Sequence, residues 1–326
     1  MLSRAADAIY WMNRYIERAK NVARFIDVNL HLMLDMPVGI GEQWEPLVRV
    51  TGDHHVFKER LGEATQENVV EFLTFDTTYP NSILSCLYTA RENARSVREI
   101  ISSEMWEQVN KFYLMVKGTS KKQALKASYD FFTRIKTASH LFSGIADSTM
   151  SHGEAWHFGR LGGLLERADK TSRILDVKYF ILLPDVAEIG TPLDDIQWSA
   201  LLKSASAFEM YRKRFGPIST DSIADFLILD REFPRAVHHC LMEAEKSLHT
   251  ITGSASGMFQ NPAEQLLGRL RAELNYAHID EIIEGGLHEF LDDLQTRLNR
   301  IGDAIFDTFF ALRPLMGAKT LNRENE

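Results

Sequence analysis

The sequence has 326 residues, with 37 Lys and Arg against 45 Asp and Glu, which gives a formal net charge of −8. This acidic balance argues against a protein that coats nucleic acid, because phosphate binding requires a concentrated basic surface. Hydrophobic residues make up 45% of the chain and charged residues 25%, as in ordinary globular proteins. Two cysteines exclude a disulfide scaffold and favour a reducing compartment.

The start of the chain shows none of the features of a secretory leader. It opens Met1-Leu2-Ser3-Arg4 and passes directly into a charged, periodic segment. The longest apolar stretches, such as 179–183 and 226–229, are far shorter than the about 20 residues needed to cross a bilayer. We therefore expect a cytoplasmic protein with no membrane partner.

The first predicted element is a long helix. Apolar residues recur there at alternating spacings of three and four, which places them along one stripe suited to lengthwise packing. These residues are Ile9, Met12, Ile16, Ala19, Ala23, Ile26, Leu30 and Met33. Pro37 and Gly39 are expected to end the helix.

Helix punctuation continues along the chain. Asn261-Pro262 followed by Glu264 combines an N-cap, a proline at the first helical position and an acidic residue at the third. No segment shows the sustained two-residue alternation of strands bounded by hairpin turns. The predicted fold class is therefore all-α. The predicted helices are 5–35, 42–50, 66–74, 80–116, 121–146, 154–183, 193–214, 221–228, 234–251, 262–284 and 286–312.

The sequence also repeats itself. Glu17-Arg18-Ala19 reappears 149 residues later as Glu166-Arg167-Ala168, within an apolar stripe of the same register. Further on, the correspondence continues at an offset of 154 and includes rare residue types. These pairs are Trp44 and Trp198, Pro80 and Pro234, and Cys86 and Cys240.

Rare residues matching at a constant offset indicate an internal duplication. We predict an internally duplicated helical bundle with pseudo-twofold repeats, in which 1–150 and 151–316 superpose and 317–326 form a polar tail.

The repeated Glu-Arg motifs provide the first candidate site. Arg14, Glu17 and Arg18 can form a cluster of ionic hydrogen bonds on one flank of the first helix, and Glu166 with Arg167 occupies the equivalent flank of the second repeat. One interpretation is that each pair cross-links neighbouring helices. The other is that the same residues face a polar cleft between the repeats and bind a ligand.

A second candidate is a row of arginines in 90–99. Arg91, Arg95 and Arg98 are spaced by four and three and share a helix face, a pattern that suits a phosphate or carboxylate ligand. The alternative is an ordinary solvated helix face. We expect the row to face the Glu17-Arg18 helix and form a polar cavity with it. The other residues assigned to this candidate site are Glu92, Asn93 and Glu104.

Metal and nucleophile motifs are lacking in the sequence. It contains no His-Glu-x-x-His run, no Cys-x-x-Cys pair and no Asp-rich calcium loop, so we predict no metal site and no cofactor. Cys86 and Cys240 are best explained as small core residues. Gly159, Gly162 and Gly163 lie inside a predicted helix, where close helix packing explains them better than phosphate binding.

Three segments resemble the bacterial alpha-E domain family, a helical family with a Glu-Arg motif. They are YWMNRYIERA at 10–19, LLERAD at 164–169 and DREFPR at 230–235. The resemblance extends to about residue 315, and the family has no firmly assigned activity. It implies an association with an ATP-grasp-type ligase and a transglutaminase-like protein, and hence with a system that modifies peptides or forms amide bonds.

Three functions are compatible with this resemblance. In the first, the chain is a separate subunit that acts as an accessory or substrate-presenting component of an amide ligase, with a peptide or a small anion as its ligand. Alternatively, it is an enzyme of the same system that uses Glu17, Glu92, Glu104 or Glu166 for acid-base chemistry, tuned by nearby arginines. The third function is a purely structural helical scaffold.

Overall fold

The computed structural model describes residues 1–35, 44–181 and 191–311, and within these ranges all regular structure is helical. The all-α prediction is therefore confirmed. The helices are α1 (Ser3–Asp35), α2 (Glu45–Thr51), α3 (His54–Leu61), α4 (Gln66–Val70), α5 (Ile83–Ser96), α6 (Ser103–Lys117), α7 (Lys121–Lys126), α8 (Ser128–Thr149), α9 (Glu154–Ile181), α10 (Pro192–Ser204), α11 (Phe208–Arg214), α12 (Thr220–Ile228), α13 (Val237–Thr252), α14 (Pro262–Tyr276), α15 (Ile279–Glu284) and α16 (Leu287–Ile305).

Two short π-helical turns extend the regular structure. Glu71–Phe75 continues α4, and Phe306–Phe310 continues α16. The predicted polar tail and the proposed end of the first helix at Pro37 and Gly39 lie outside the described residues.

Several predicted helices are divided in the structure. The segment 80–116 forms α5 and α6, 121–146 forms α7 and α8, 193–214 forms α10 and α11, and 262–284 forms α14 and α15. α3 was not predicted at all. Apolar periodicity does not reveal such breaks when the residues of the intervening turn are themselves buried.

The break between α5 and α6 shows the physical reason. Val97 and Ile101 in the turn are buried, so the apolar pattern runs on across it. The backbone nevertheless restarts at Ser102, whose hydroxyl accepts a hydrogen bond from the Met105 backbone N–H at 3.1 Å and caps α6. α6 then packs against α5.

The buried apolar side chains form two cores. One consists of residues between 8 and 142 together with Ile174, and the other of residues between 158 and 310 together with Ala6 and Tyr10. The residues that cross from one half of the sequence to the other core lie on α1 and α9. These two helices therefore join the cores.

α1 and α9 run parallel and in register. The amino group of Met1 bonds Glu154 at 2.7 Å, and Arg18 bonds Glu166 at least three helical turns further along both helices. The sequence separations of these two contacts are 153 and 148 residues. A nearly constant separation means that both helices advance in the same direction.

Two glycines of α9 allow this close packing. A Cβ on Gly159 would lie 2.6 Å from the side-chain amide of Asn13, and one on Gly162 would lie 2.4 Å from the backbone carbonyl of Tyr10. The predicted packing role is thus confirmed for both residues. Gly163 differs, because a Cβ there would meet no atom within 4 Å.

We expect Gly162→Ala to lower the free energy of unfolding by about 1–3 kcal/mol, because α1 and α9 must separate to admit the methyl group. Gly163→Ala is the matched control and should raise it by about 0.5–1 kcal/mol, since alanine is the better helix former. Urea unfolding monitored by circular dichroism measures both. Equal effects of the two variants would contradict the close contact at Gly162.

Candidate functional site

The two Glu-Arg motifs lie opposite each other on α1 and α9, and each arginine pairs with the glutamate of the other helix. Arg18 donates from Nε and Nη2 to Glu166 at 2.7 and 2.9 Å. Arg167 donates from Nε and Nη2 to Glu17, both at 3.3 Å. Such two-point contacts are the strong geometry for a guanidinium and a carboxylate. The motifs therefore cross-link neighbouring helices, as the first interpretation of the sequence expects.

Glu166 is fully buried and has two further cations beside it. Arg14 donates from Nε to its carboxylate at 3.0 Å, and Lys170 lies 3.7 Å away. Arg14 is held in place because it also donates to the hydroxyl of Tyr10 at 3.2 Å. The carboxylate thus sits among three cations and is compensated for the loss of water.

Glu17, 5% exposed, has its own set of three cations. In addition to Arg167, Lys20 donates to its carboxylate at 2.5 Å and Arg235 at 3.2 Å. Arg235 follows Pro234 in the chain and also donates to Asn21. The loop before α13 therefore delivers a cation into the contact between α1 and α9.

Sequence reasoning did not assign several of these residues to the site. The additional residues are Lys20, Asn21, Asn81, Lys170 and Arg235. A signal for two of them was present, because Asn81 and Arg235 each follow one of the prolines matched at the 154-residue offset. In the structure Asn81 accepts a hydrogen bond from Arg18 at 2.6 Å, while Arg235 donates to Glu17.

Both buried carboxyl groups are ionised at neutral pH. Burial acts to raise the pKa of Glu166, but the attraction of Arg18, Lys170 and Arg14 outweighs it and holds the pKa below its ordinary value of 4.5. Burial also acts to raise the pKa of Glu17. The attraction of Arg167, Lys20 and Arg235 outweighs this effect and holds the pKa well below 4.5.

For Lys20 the effect of burial is not outweighed by the attraction of its partner. Burial lowers its pKa from 10.5 to about 7, and repulsion from Arg167 and Arg235 acts in the same direction against the attraction of Glu17. Its ammonium group therefore titrates near neutral pH within the folded protein.

The predicted arginine row is elsewhere. Arg91 donates to Asn110 and to Glu92, both at 2.7 Å, and lies 5.7 Å above the ring of Trp106 on α6. Arg98 lies 4.9 Å above the same ring. The prediction that this row and the Glu17-Arg18 helix share a polar cavity is therefore wrong.

The prediction failed because it assigned the wrong face of α5 to the contact with α1. α5 packs against α1 with a buried apolar stripe that contains Ala90 and Ala94, which turns the arginines toward α6 and solvent. The side chain of Arg95 is 67% exposed and pairs only loosely with Glu92 at 3.4 Å. The remaining assigned residues of this region are a half-buried Asn93 and an exposed Glu104.

A groove of about 470 Å³ opens beside the paired motifs. It runs between α1, α8 and α9, and we call it the α8–α9 groove. Its floor is apolar and its wall carries Glu17 and Arg167, while Trp156 and Arg160 lie toward α13, where Arg160 pairs with Glu243. The lining residues include Ile9, Asn13, Ile16, Glu17, Met105, Phe142, Gly144, Asp147, Trp156, Arg160, Gly163, Leu164 and Arg167.

The cysteines do not form a reactive site. Burial raises the pKa of Cys86 to about 12 and that of Cys240 to about 11, so both remain thiols. Each Sγ contacts the carbonyl oxygen of the proline six residues earlier. Among residues 1–35, 44–181 and 191–311, no group of three or more His, Cys, Asp or Glu side chains is placed to hold a metal ion. In those same ranges, none of the helices has both the length and the apolar character of a membrane span.

Comparison with known proteins places the chain in a family. The Alpha-E family, described as a predicted alpha-helical domain with a conserved ER motif, matches residues 1–310. The chain therefore belongs to this family. Its sequence contains Glu-Arg at 17–18, 59–60 and 166–167, and the first and third of these pairs meet between α1 and α9.

Individual relatives add no assigned activity. The chain is 22% identical over 345 residues to an uncharacterised protein of Mycobacterium bovis and, equally, to uncharacterised proteins of two Mycobacterium tuberculosis strains. These alignments cover 96% of the chain but 38% of each relative, so the chain spans less than half the length of the curated proteins it matches. No solved structure gives a significant match.

We expect Glu166→Gln and Glu17→Gln each to lower the free energy of unfolding by about 3–5 kcal/mol, because the cations around each carboxylate stay buried without their counter-charge. Denaturant unfolding at pH 7 measures this loss. Glu104→Gln, at an exposed position, is the control and should change stability little. Since the folded pKa values lie below 4.5, the stabilisation is present above that pH and disappears as the pH falls through the folded pKa.

The pKa of Lys20 predicts a second pH dependence. Between pH 7 and 10.5 the unfolded state binds the proton that folded Lys20 has released, so the free energy of unfolding should rise with pH, by at most about 1.4 kcal/mol per unit. Lys20→Met should remove this rise between pH 7 and 9, whereas Lys111→Met, at an exposed lysine, should not. Identical slopes in the wild type and Lys20→Met would contradict the assignment.

Proposed function

We propose that this protein is a non-catalytic, substrate-presenting component of an amide-ligase system that modifies peptides. Its partners in this proposal are an ATP-grasp-type ligase and a transglutaminase-like protein, which follow from the association that the family resemblance implies. The observation that carries the proposal is the pairing of both motif glutamates with arginines, beside an open groove that a ligand can enter.

The state of the glutamates favours presentation over catalysis. A general acid or base at neutral pH needs a pKa near the working pH and reach to the reacting group. Glu17 and Glu166 have the reverse properties, because they are buried, ionised and each surrounded by three cations. Their role in this proposal is to fix α1 against α9 and so to hold the wall of the groove.

The groove has the chemistry to hold a peptide segment. Its apolar floor suits side chains, and the Trp156 ring, which stacks on His152 at 4.1 Å, offers a rigid aromatic surface. Arg160 lies 5.0 Å from the Trp156 ring and pairs with Glu243, which holds both side chains at this end of the groove. A peptide segment with apolar side chains is therefore the ligand proposed for this groove.

We also propose that the chain is internally duplicated, with a pseudo-twofold axis between the repeats 1–150 and 151–316. The exchange of contacts between the motifs supports this, because a twofold axis requires that Glu17 meets the counterpart of Arg18 when Arg18 meets the counterpart of Glu17. Trp44 and Trp198, matched by the sequence offset, are both buried, each in a different core.

Blocking the groove tests the proposed function. Gly144 and Gly163 lie in helices, line the groove and have open space where a Cβ would project. We expect Gly144→Leu and Gly163→Leu to fold with an undiminished melting temperature, and to bind the ligase encoded beside this gene at least tenfold more weakly than the wild type. Binding is measured by calorimetry with and without ATP.

Thr137→Leu is the matched control, because it adds the same side chain to an exposed position of α8 outside the groove. It should leave ligase binding unchanged. Wild-type binding by both groove variants would remove the groove from the proposal. No binding between the wild-type chain and the ligase would overturn the proposed partnership and favour the structural scaffold.

A further inference from the structure

A small cavity lies beside Glu166, on the side of α1 and α9 that faces α2 and α16. It has a volume of about 170 Å³. Four cationic side chains line it, and Thr51, Asn81 and Asn299 contribute polar groups at its edges. The four cations are Arg14, Arg18, Lys170 and Arg173.

The charges around this cavity do not balance. The four cations carry +4, while Asp169 and Glu166, the two carboxylates that pair with them, carry −2, which leaves +2 among these six side chains. The whole chain has a net charge of −8, so the excess is local and opposite in sign to the rest of the protein. Cations concentrated in a partly desolvated cavity are costly unless an anion is paired with them.

The cavity also retains hydrogen-bond donors. Arg18 is fully engaged, since it donates to Glu166 and Asn81. Arg173 uses only Nε, which donates to Asp169 at 2.9 Å. Within the described part of the chain, its two terminal nitrogens have no hydrogen-bond partner, nor does Nη2 of Arg14.

We propose that this cavity binds a dianionic phosphoryl group, held by the free donors of Arg173 and Arg14. Lys170, which donates to Asp169 at 2.9 Å, adds its charge beside them. A charge of −2 neutralises the local excess, whereas a carboxylate would leave one positive charge uncompensated. Three terminal oxygens match the unused guanidinium donors, which is the geometry in which arginine binds phosphate. This site is separate from the groove of the proposed function and does not depend on it.

The size of the cavity limits the ligand. A volume of about 170 Å³ corresponds to roughly five or six waters, which is enough for a phosphoryl group but too small to enclose a nucleotide base and sugar as well. Free phosphate and the terminal group of a phosphate ester have the same chemistry at this depth. An ester would enter with its phosphoryl group first and leave the remainder at the rim near Asn299.

Calorimetric titration of the full chain with inorganic phosphate at pH 7.5 tests the site, with acetate as the monoanion and ADP and phosphoserine as esters. We expect saturable binding of phosphate and at least tenfold weaker binding of acetate. Binding should weaken at pH 5.5, where the phosphoryl group takes up a proton and becomes a monoanion. Tighter binding of an ester than of phosphate would identify an ester as the source.

Arg173→Gln should weaken phosphate binding at least tenfold. Asn299→Asp is the second variant, because it places a negative charge at the rim without touching the buried ion pairs, and it should weaken binding while the melting temperature stays unchanged. Arg134→Gln lowers the net charge by the same amount at an exposed position of α8 and should bind like the wild type.

Absence of saturable phosphate binding to the wild type, or equal weakening by Arg134→Gln, would overturn the proposal. The outcome is distinguishable from that of the groove experiment. Loss of phosphate binding in Asn299→Asp with ligase binding intact would assign the two ligands to separate sites, and the groove variants should still bind phosphate normally.

Discussion

The structure depends on two buried carboxylates, each of which pairs with an arginine of the neighbouring parallel helix. Each glutamate of a Glu-Arg pair is neutralised by the arginine of the other helix, so neither α1 nor α9 can satisfy its own motif alone. Moving one helix away would leave charges buried without partners, which is far more costly than separating an apolar contact. Gly159 and Gly162 bring the backbones close enough for this exchange.

The two glutamates reach the same number of cations by different routes. Glu17 takes its third cation from Arg235, a position that corresponds at the 154-residue offset to Asn81. Glu166 takes its own from Arg14, which corresponds at the 149-residue offset to Gly163. This difference has consequences on both sides, because a glycine opens the α8–α9 groove and an arginine adds charge to the small cavity.

The rigid contact between α1 and α9 thus has different surroundings at its two glutamates. Near Glu17 the contact holds the wall of the open α8–α9 groove. Near Glu166 it borders a small cavity with an excess of positive charge. These two surfaces are the ones on which the proposed binding of a peptide segment and of a phosphoryl group rests. The ionised state of the carboxylates makes the paired motif a structural support for these surfaces and argues against its use as an acid or base.

The sequence by itself determined the helical class, the stripe of α1 and the Glu-Arg pairs, because these depend on periodicity and on motifs within single segments. It also indicated the packing role of Gly159 and Gly162. Tertiary structure alone decided which face of α5 meets α1, and this choice sent the arginine row toward Trp106 and away from Glu17. It also brought Arg235 to Glu17, since residues 218 positions apart become partners only when helices pack. The pairing of Arg173 with Asp169 one turn earlier is local, but the cavity beside it forms only where α2 and α16 pack against α1 and α9.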